Sequence, residues 1–330
     1  MTTQAQKGMV FLALLSAALL LLGAAIGTRG VQWPWQFGAD PVAADILWDI
    51  RLPRSLGAWL AGALLGVSGA LAQGLFRNPL ADPYLLGSAS GASLGVSIFL
   101  GAWGAATLPI TMTAHLGMTG AAFVGAVGAV LMTLLLARGV QHTLRLLLAG
   151  VVVGVVLGAI TSLAVLLQPR LLMAMQGFLL GSSALLGWSA CAVMGLVLLA
   201  VLLVGRLWAR VLDALSLGEA TAASLGLPLR HARVGLIALM ALATGAAVAQ
   251  TGLIAFIGLA APHAVRSSIP VLHAPLLWLS AFMGGAMLLG ADIVARGVWP
   301  GQELPVGVFT AVLGGGYLMW RMGQLHKPHA

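Results

Sequence analysis

Apolar residues run through this chain in long, nearly unbroken stretches, and polar positions fall in short clusters between them. The stretches near 9–28, 55–76, 86–104, 114–137, 143–167, 186–205, 233–250, 253–266, 274–294 and 304–321 predict ten spanning helices, because about 20 apolar residues wound as a helix cross a hydrocarbon layer of ~30 Å. The third and eighth are short or broken by Gly and Pro. Two longer polar intervals stand out. Residues 29–54 hold Trp33, Trp35 and Trp48, which suit a membrane interface. Residues 206–232 carry an Ala- and Leu-rich piece ahead of Gly226 and Pro228. That piece predicts a short helix outside the membrane, either docking a soluble partner or resting on lipid. The pattern predicts an all-α polytopic membrane protein of about ten helices in one bundle, with residues 1–330 forming a single domain.

Composition makes the membrane reading firm. The chain is 60% hydrophobic and 7% charged, with mean hydropathy +1.04, whereas soluble domains carry about 25% charged residues. Its 44 Gly suit closely packed helices, since lipid gives helices no hydrophobic drive to associate and small residues let backbones approach. The apolar run Met9–Ile26 is long for a signal peptide and ends in a poor cleavage site, so it predicts a first span. With the N-terminus in the cytoplasm, ten spans return the C-terminus there. Eleven Lys and Arg then lie inside, against five outside: Arg29, Arg51, Arg54, Arg170 and Arg296. Spans 2–5 and 7–10 are offset by five and run in opposite senses, which is compatible with inverted repeats. The interrupted segments at Asn78-Pro79 and Ala261-Pro262-His263 fall in the second and eighth spans, and inverted repeats often place a pathway at their interface.

The net charge of +8 is scattered over the loops and predicts no nucleic-acid binding. Neither Lys7 nor Lys327 stands in a phosphate-binding loop, the His residues are too dispersed to predict a metal site, and the lone Cys191 precludes an intrachain disulfide. Nothing in the chain predicts an enzyme. Asp292 is the acid within an apolar stretch, and Arg296 lies one helical turn on. A charge at mid-membrane costs about 2.5–3.5 kcal/mol on insertion scales, so the two are expected to pair. An ion-gradient-driven secondary transporter, the alternative reading, would have to run on this one carboxylate. Arg51, Arg54 and Arg296, all outside, either steer an acidic partner or snorkel to headgroups.

Five segments in order resemble the FecCD-type permease family, the membrane subunits of ATP-binding-cassette importers for iron-siderophores, haem and vitamin B12. They are Arg51-Leu-Pro-Arg54; Gln73 to Pro83 with Leu86 to Ala92; Gly252 to Arg266; Leu289 to Arg296; and Glu303 to Thr310. The resemblance covers about residues 50 to 322. It implies a homodimer around a central pathway in the bacterial inner membrane, two ATPase subunits that bind the ATP, and a periplasmic substrate-binding protein. It implies no permanently bound cofactor. By position, Arg51, Arg54 and Arg296 would meet carboxylates of the binding protein. Leu217, Gly218, Glu219, Ala220, Leu225 and Gly226 would belong to the element that docks on the ATPase. Asn78, Leu80, His142 and Thr143 would constrict the cytoplasmic exit, with His142 standing where a small hydroxyl residue is expected. The cargo implied is a metal chelate, haem or ferric siderophore ahead of cobalamin.

Overall fold

The computed structural model describes residues 3–27, 30–31, 41–103, 112–137, 143–298 and 303–325. The protein is all-α and polytopic. In chain order the helices are α1 (Thr3–Ala25), α2 (Pro41–Ile46), α3 (Leu52–Phe76), α4 (Ser88–Trp103), α5 (Met112–Leu136), α6 (Thr143–Leu167), α7 (Arg170–Leu180), α8 (Trp188–Ser216), α9 (Glu219–Ser224), α10 (Leu229–Thr251), α11 (Ile257–Ser268), α12 (His273–Gly297) and α13 (Val306–Leu325). A π-helical turn, Leu47–Arg51, joins α2 to α3, and a two-residue antiparallel ribbon pairs Ile26–Gly27 with Gly30–Val31.

Each of the ten apolar stretches lies on a helix. Among the described residues, seven helices are long and apolar enough to cross a membrane, and α4, α7 and α13 contain shorter apolar segments. Two features depart from the hydropathy pattern. Helix α7 falls outside the ten stretches, at eleven residues too short to register as a span. Helix α8 continues to Ser216 rather than ending near 205, because Arg206, Arg210 and Asp213 lower the hydropathy without breaking the helix. Of the interfacial tryptophans, Trp33 and Trp35 lie outside the described residues. Trp48 is exposed, and its carbonyl accepts from Trp188 Nε1 at 3.0 Å.

The bundle is built around α3. In α3 and the turn before it, 89% of the apolar window is buried, against 22% in α6. Helices α12, α10, α8, α11 and α1 pack on α3, while α6 keeps many of its Val and Leu outward. Small residues set the approach. A Cβ on Gly62 would strike the Gly284 carbonyl, and one on Gly66 the Ser280 carbonyl, across the α3–α12 contact. At Gly69 the neighbour is the Gly258 carbonyl of α11. Pro262 lies inside α11 and has no N–H to give the carbonyl four residues back, which is that of Gly258. The freed carbonyl therefore turns to the Cα of Gly69. Polar contacts add to this: Ser68 Oγ meets Thr244 Oγ1 of α10 at 2.7 Å.

The packing repeats between the halves. Helix α3 packs on α12 as α10 packs on α5, and α4 packs on α5 as α11 packs on α12. Each half also breaks its chain in the same manner. Residues 77–87 begin at Arg77 (φ 51°) and end at Gly87 (φ 79°), both left-handed. The segment after α10 begins at Gly252 (φ 69°) and ends at Phe256 (φ 69°). These are the contacts and breaks that exchanging α3–α6 for α10–α13 would preserve, as an internal repeat requires.

Gly69→Ala should lower thermal stability in detergent by about 3 kcal/mol, the upper end of overpacking costs. The control is Gly290→Ala on α12, where an added Cβ meets nothing within 4 Å. It should be neutral or stabilising by about 0.5–1 kcal/mol. Equal melting temperatures for the two variants would contradict this account of the core.

Candidate functional site

Among the described residues, the sequence-expected site residues fall in three places. At one end, Arg51 closes the π-helical turn, Arg54 opens α3, and Asp292 and Arg296 occupy the last turns of α12. The structure gathers them. Arg54 Nη2 lies 3.1 Å from Asp292 Oδ1, and Arg54 Nη1 lies 2.7 Å from Glu303 Oε1. Arg296 Nη2 lies 2.7 Å from Asp292 Oδ2, the pair expected one helical turn apart. Ser183 Oγ also donates to Asp292 Oδ1. Arg296 donates further to the carbonyl of Gly23 at 3.2 Å and to Ser55 Oγ at 3.3 Å, and Arg51 donates to the carbonyl of Ala25 at 3.2 Å. The cluster thus ties the end of α1, the start of α3, the α7–α8 connection and the end of α12. Arg51, Arg54 and Arg296 keep 8, 7 and 3% of their surface exposed, and Asp292 none. They are interior ions, not headgroup-seeking side chains. Two of the guanidiniums, Arg54 and Arg296, share the Asp292 carboxylate, and Arg54 also reaches Glu303. Glu303, with 38% of its side chain exposed, is the member most open to solvent.

At the other end of α3, the αL residue Arg77 stops the helix and Arg77, Asn78, Pro79 and Leu80 emerge exposed. Asn78 Oδ1 accepts from the Leu80 amide at 2.9 Å, an Asx turn that holds Leu80 outward. Of the other expected exit residues, Thr143 begins α6 and His142 lies outside the described residues. Further along the same break, Asp82 caps the turn Pro83–Leu86 by accepting from the Tyr84 amide at 2.8 Å. Burial pushes the Asp82 carboxyl up to about 6, opposed by that amide. Sequence inspection passed over Asp82, because a capping aspartate in a broken segment reads as turn chemistry.

The third cluster is the 206–232 interval. Leu217, Gly218 (φ 114°) and the six-residue α9 reverse the chain beyond the end of α8, and Leu225 and Gly226 (φ 70°) return it to α10. Inside the turn, Ala222 is buried against Val211, Ala214, Leu215 and Ala232. Glu219 Oε1 accepts from Arg233 Nη2 at 2.6 Å, pinning α9 to α10. Leu217 and Leu225 point outward, 68 and 60% exposed. A small rigid knob with two outward leucines has the form of a docking element. The six residues expected for ATPase docking all lie on it.

Between the ends, open clefts of about 370 and 410 Å³ run along α4, α6, α7 and α13. Ser90, Ser93, Thr161 and Ser162 line one; Tyr84, Leu179, Gly307 and Val308 line the other. Such walls offer small hydroxyls and apolar surface, with little to grip a ligand. Sequence reading quoted Ser90, Gly307 and Val308 within motifs but gave none of these residues a role, because isolated Ser and Thr on apolar helices are equally at home bonding their own backbone. Thr161 and Ser162 do so, to Leu157 and Gly158.

The model of the FecCD transport family matches residues 6–324 of this chain. The chain is 38% identical over 314 residues to the hemin transport system permease protein HmuU of Yersinia pestis, covering 94% of this chain and 93% of that protein. It is 36% identical over 300 residues to the vitamin B12 import system permease protein BtuC of Vibrio cholerae, covering 90% of this chain and 88% of that one. Among solved structures, an inward-facing conformation of an ABC transporter assigned to the metal-chelate type superposes with a TM-score of 0.84 at 27% identity. The match covers 96% of this chain and 99% of that one.

Asp292 balances two interior guanidiniums, so removing it should cost more than removing either cation. Asp292→Ala should destabilise the protein by about 3–5 kcal/mol, the range for breaking a buried pair. Glu303→Gln, at the solvent-facing edge, should cost about 1 kcal/mol or less. Thermal unfolding of the two variants in one detergent checks the order.

Proposed function

This chain belongs to the FecCD transport family, and from that premise we infer that it is the membrane-spanning permease subunit of an ATP-driven importer. Its cargo is a metal chelate, haem or ferric siderophore ahead of cobalamin. The whole chain serves as one permease domain. Two copies enclose the pathway in the bacterial inner membrane, with both termini in the cytoplasm. Two ATPase subunits bind and hydrolyse the ATP, so the permease carries no catalytic site or resident cofactor of its own. A periplasmic binding protein delivers the cargo. The observation that carries the reading is the α9 knob. Its backbone is fixed by two positive-φ glycines and a Glu219–Arg233 ion pair, and its apolar side chains point out of the fold.

Each cluster takes one role. The α9 knob, with Leu217, Gly218, Glu219, Ala220, Leu225 and Gly226, seats on the ATPase. Asn78 and Leu80, with His142 and Thr143, narrow the cytoplasmic exit. Arg51, Arg54 and Arg296 serve binding-protein docking. Though engaged within the chain, their guanidiniums supply the cationic groups that steer an acidic lobe toward this end. The weakly gripping clefts suit a pathway that must release what it receives, leaving specificity mainly to the binding protein.

The ion-gradient alternative finds little support. Asp292 is locked between two guanidiniums and a serine, and Asp82 is committed to capping a turn.

The complete complex in proteoliposomes should accumulate hemin, a ferric siderophore or cyanocobalamin only with internal ATP. Uphill movement by the permease alone, or driven by a proton gradient without nucleotide, would overturn the reading. Glu219→Arg places two cations together at the knob and should cut uptake about tenfold, equivalent to ~1.4 kcal/mol of lost coupling. For docking, Arg51→Glu with Arg54→Glu should weaken binding-protein affinity about tenfold at low salt and less at high salt. Unchanged affinity in both, with the complex still assembled, would remove these arginines from docking.

A further inference from the structure

Three side chains at the exit end belong to none of the roles above. Asp213, in the last turn of α8, accepts through one oxygen from the His273 amide at 2.9 Å and lies 2.6 Å from His273 Nδ1. His273 opens α12 and keeps 5% of its surface exposed. On its far side, Nε2 meets Arg266 Nη2, at the end of α11, at 3.0 Å. A guanidinium only donates, so Nε2 must accept and Nδ1–H must donate to the carboxylate. One arrangement of the ring satisfies both neighbours, and it fixes the ends of three helices to one another. Asp213 also supplies from outside the cap that Leu272, at the N-cap of α12, cannot give.

This chain of bonds lies between the two moving parts that the importer reading requires. Toward the knob, Asp213 is followed after three residues by Leu217, and its neighbours Val211, Ala214 and Leu215 are the floor on which Ala222 of α9 packs. Toward the exit, the His273 ring presses on the backbone of α3: a Cβ at Gly74 would come within 2.8 Å of Nε2. Gly74 is three residues before Arg77, where α3 unwinds into the exit segment. A cavity of about 340 Å³, lined by Gln73, Arg77, Asn78, Pro79, Ser216 and Arg266 among others, separates that segment from the end of α8. The exit residues thus have room to move, while the ring that touches their helix is held to the element carrying the knob.

We propose that Asp213, His273 and Arg266 form a polar clamp that transmits displacement of the α9 knob to the cytoplasmic exit at Arg77–Leu80. These are positioning residues, acting on the exit through the His273–Gly74 contact. The proposal rests on the ATP-driven importer reading and adds the route by which the motors work the gate. Were the cluster only a cap for α12, its loss would lower stability but leave the exit responsive to nucleotide.

The test uses the permease assembled with its ATPase and binding protein, carrying Asp213→Ala or His273→Gln. ATP hydrolysis should stay within about twofold of wild type, while hemin, ferrichrome or cyanocobalamin moved per ATP should fall about tenfold, a loss of ~1.4 kcal/mol of coupling. A second readout follows a thiol at the exit: Leu80→Cys in a Cys191→Ala background. Its labelling rate should differ between nucleotide-free and vanadate-trapped complexes, and the clamp variants should abolish that difference. Nucleotide-dependent labelling and unchanged transport per ATP in both variants would overturn the clamp alone. Failure of both variants to assemble would assign the cluster to folding and likewise overturn it. Cargo movement by the wild-type complex without ATP would overturn the importer reading, and the clamp with it.

Discussion

Lipid tails solvate a leucine as well as another leucine does, so helices in a bilayer gain little by hiding apolar side chains from one another. What holds this bundle is contact between backbones. Helix α3 meets α12 through Gly62, Gly66 and Gly284, and meets α11 where Gly69 faces the carbonyl of Gly258. The second contact exists because Pro262 cannot bond that carbonyl within its own helix. A residue usually counted as a helix breaker here exposes an acceptor at the point of closest approach. The position of α3 in turn sets where both of its ends emerge: one at the arginine cluster, the other at the exposed segment Arg77–Leu80.

Charge follows the same economy. Among the described residues, the buried guanidiniums collect where helices end, and the carboxylates paired with basic side chains there bridge more than one element. Asp292 joins α3 and α12 with the α7–α8 connection, Asp213 joins α8 to α12, and Glu219 joins α9 to α10. An ion pair confined to one helix would offset its own desolvation and little else. A carboxylate shared between helices also fixes their relative rotation, which small-residue packing alone leaves loose. The protein therefore combines a closely packed middle with electrostatically indexed ends, an arrangement suited to moving rigid pieces about a few joints.

Much of this was legible in the residues. Long apolar stretches located all ten expected helices, the one-turn spacing of Asp292 and Arg296 foretold their pairing, and the Ala-rich run before Gly226 foretold α9. The reason is that each signal is local: hydropathy, one helical turn, a glycine stop. What escaped was set by contacts distant in sequence. Nothing near Arg54 announces that Asp292 and Glu303 will reach it across more than two hundred residues, so the outer arginines read as surface cations when they are interior ones. Asp213 and His273 are sixty residues apart and unremarkable singly. Helix α7 escaped for another reason, being too short for any window tuned to a membrane's thickness.

The length of α8 carries a mechanical implication. Its 29 residues rise about 43 Å at 1.5 Å each, some 13 Å more than a hydrocarbon layer of ~30 Å. Taken along the membrane normal, the surplus would carry the α9 knob beyond the hydrocarbon layer, and a support made of helix has a set angle as well as a set height. Each residue added to or taken from it would swivel the knob by about 100° while shifting it only 1.5 Å. The bearing of the knob is therefore dictated by residue count, and insertions in this overhang should be tolerated, if at all, only in near-whole turns.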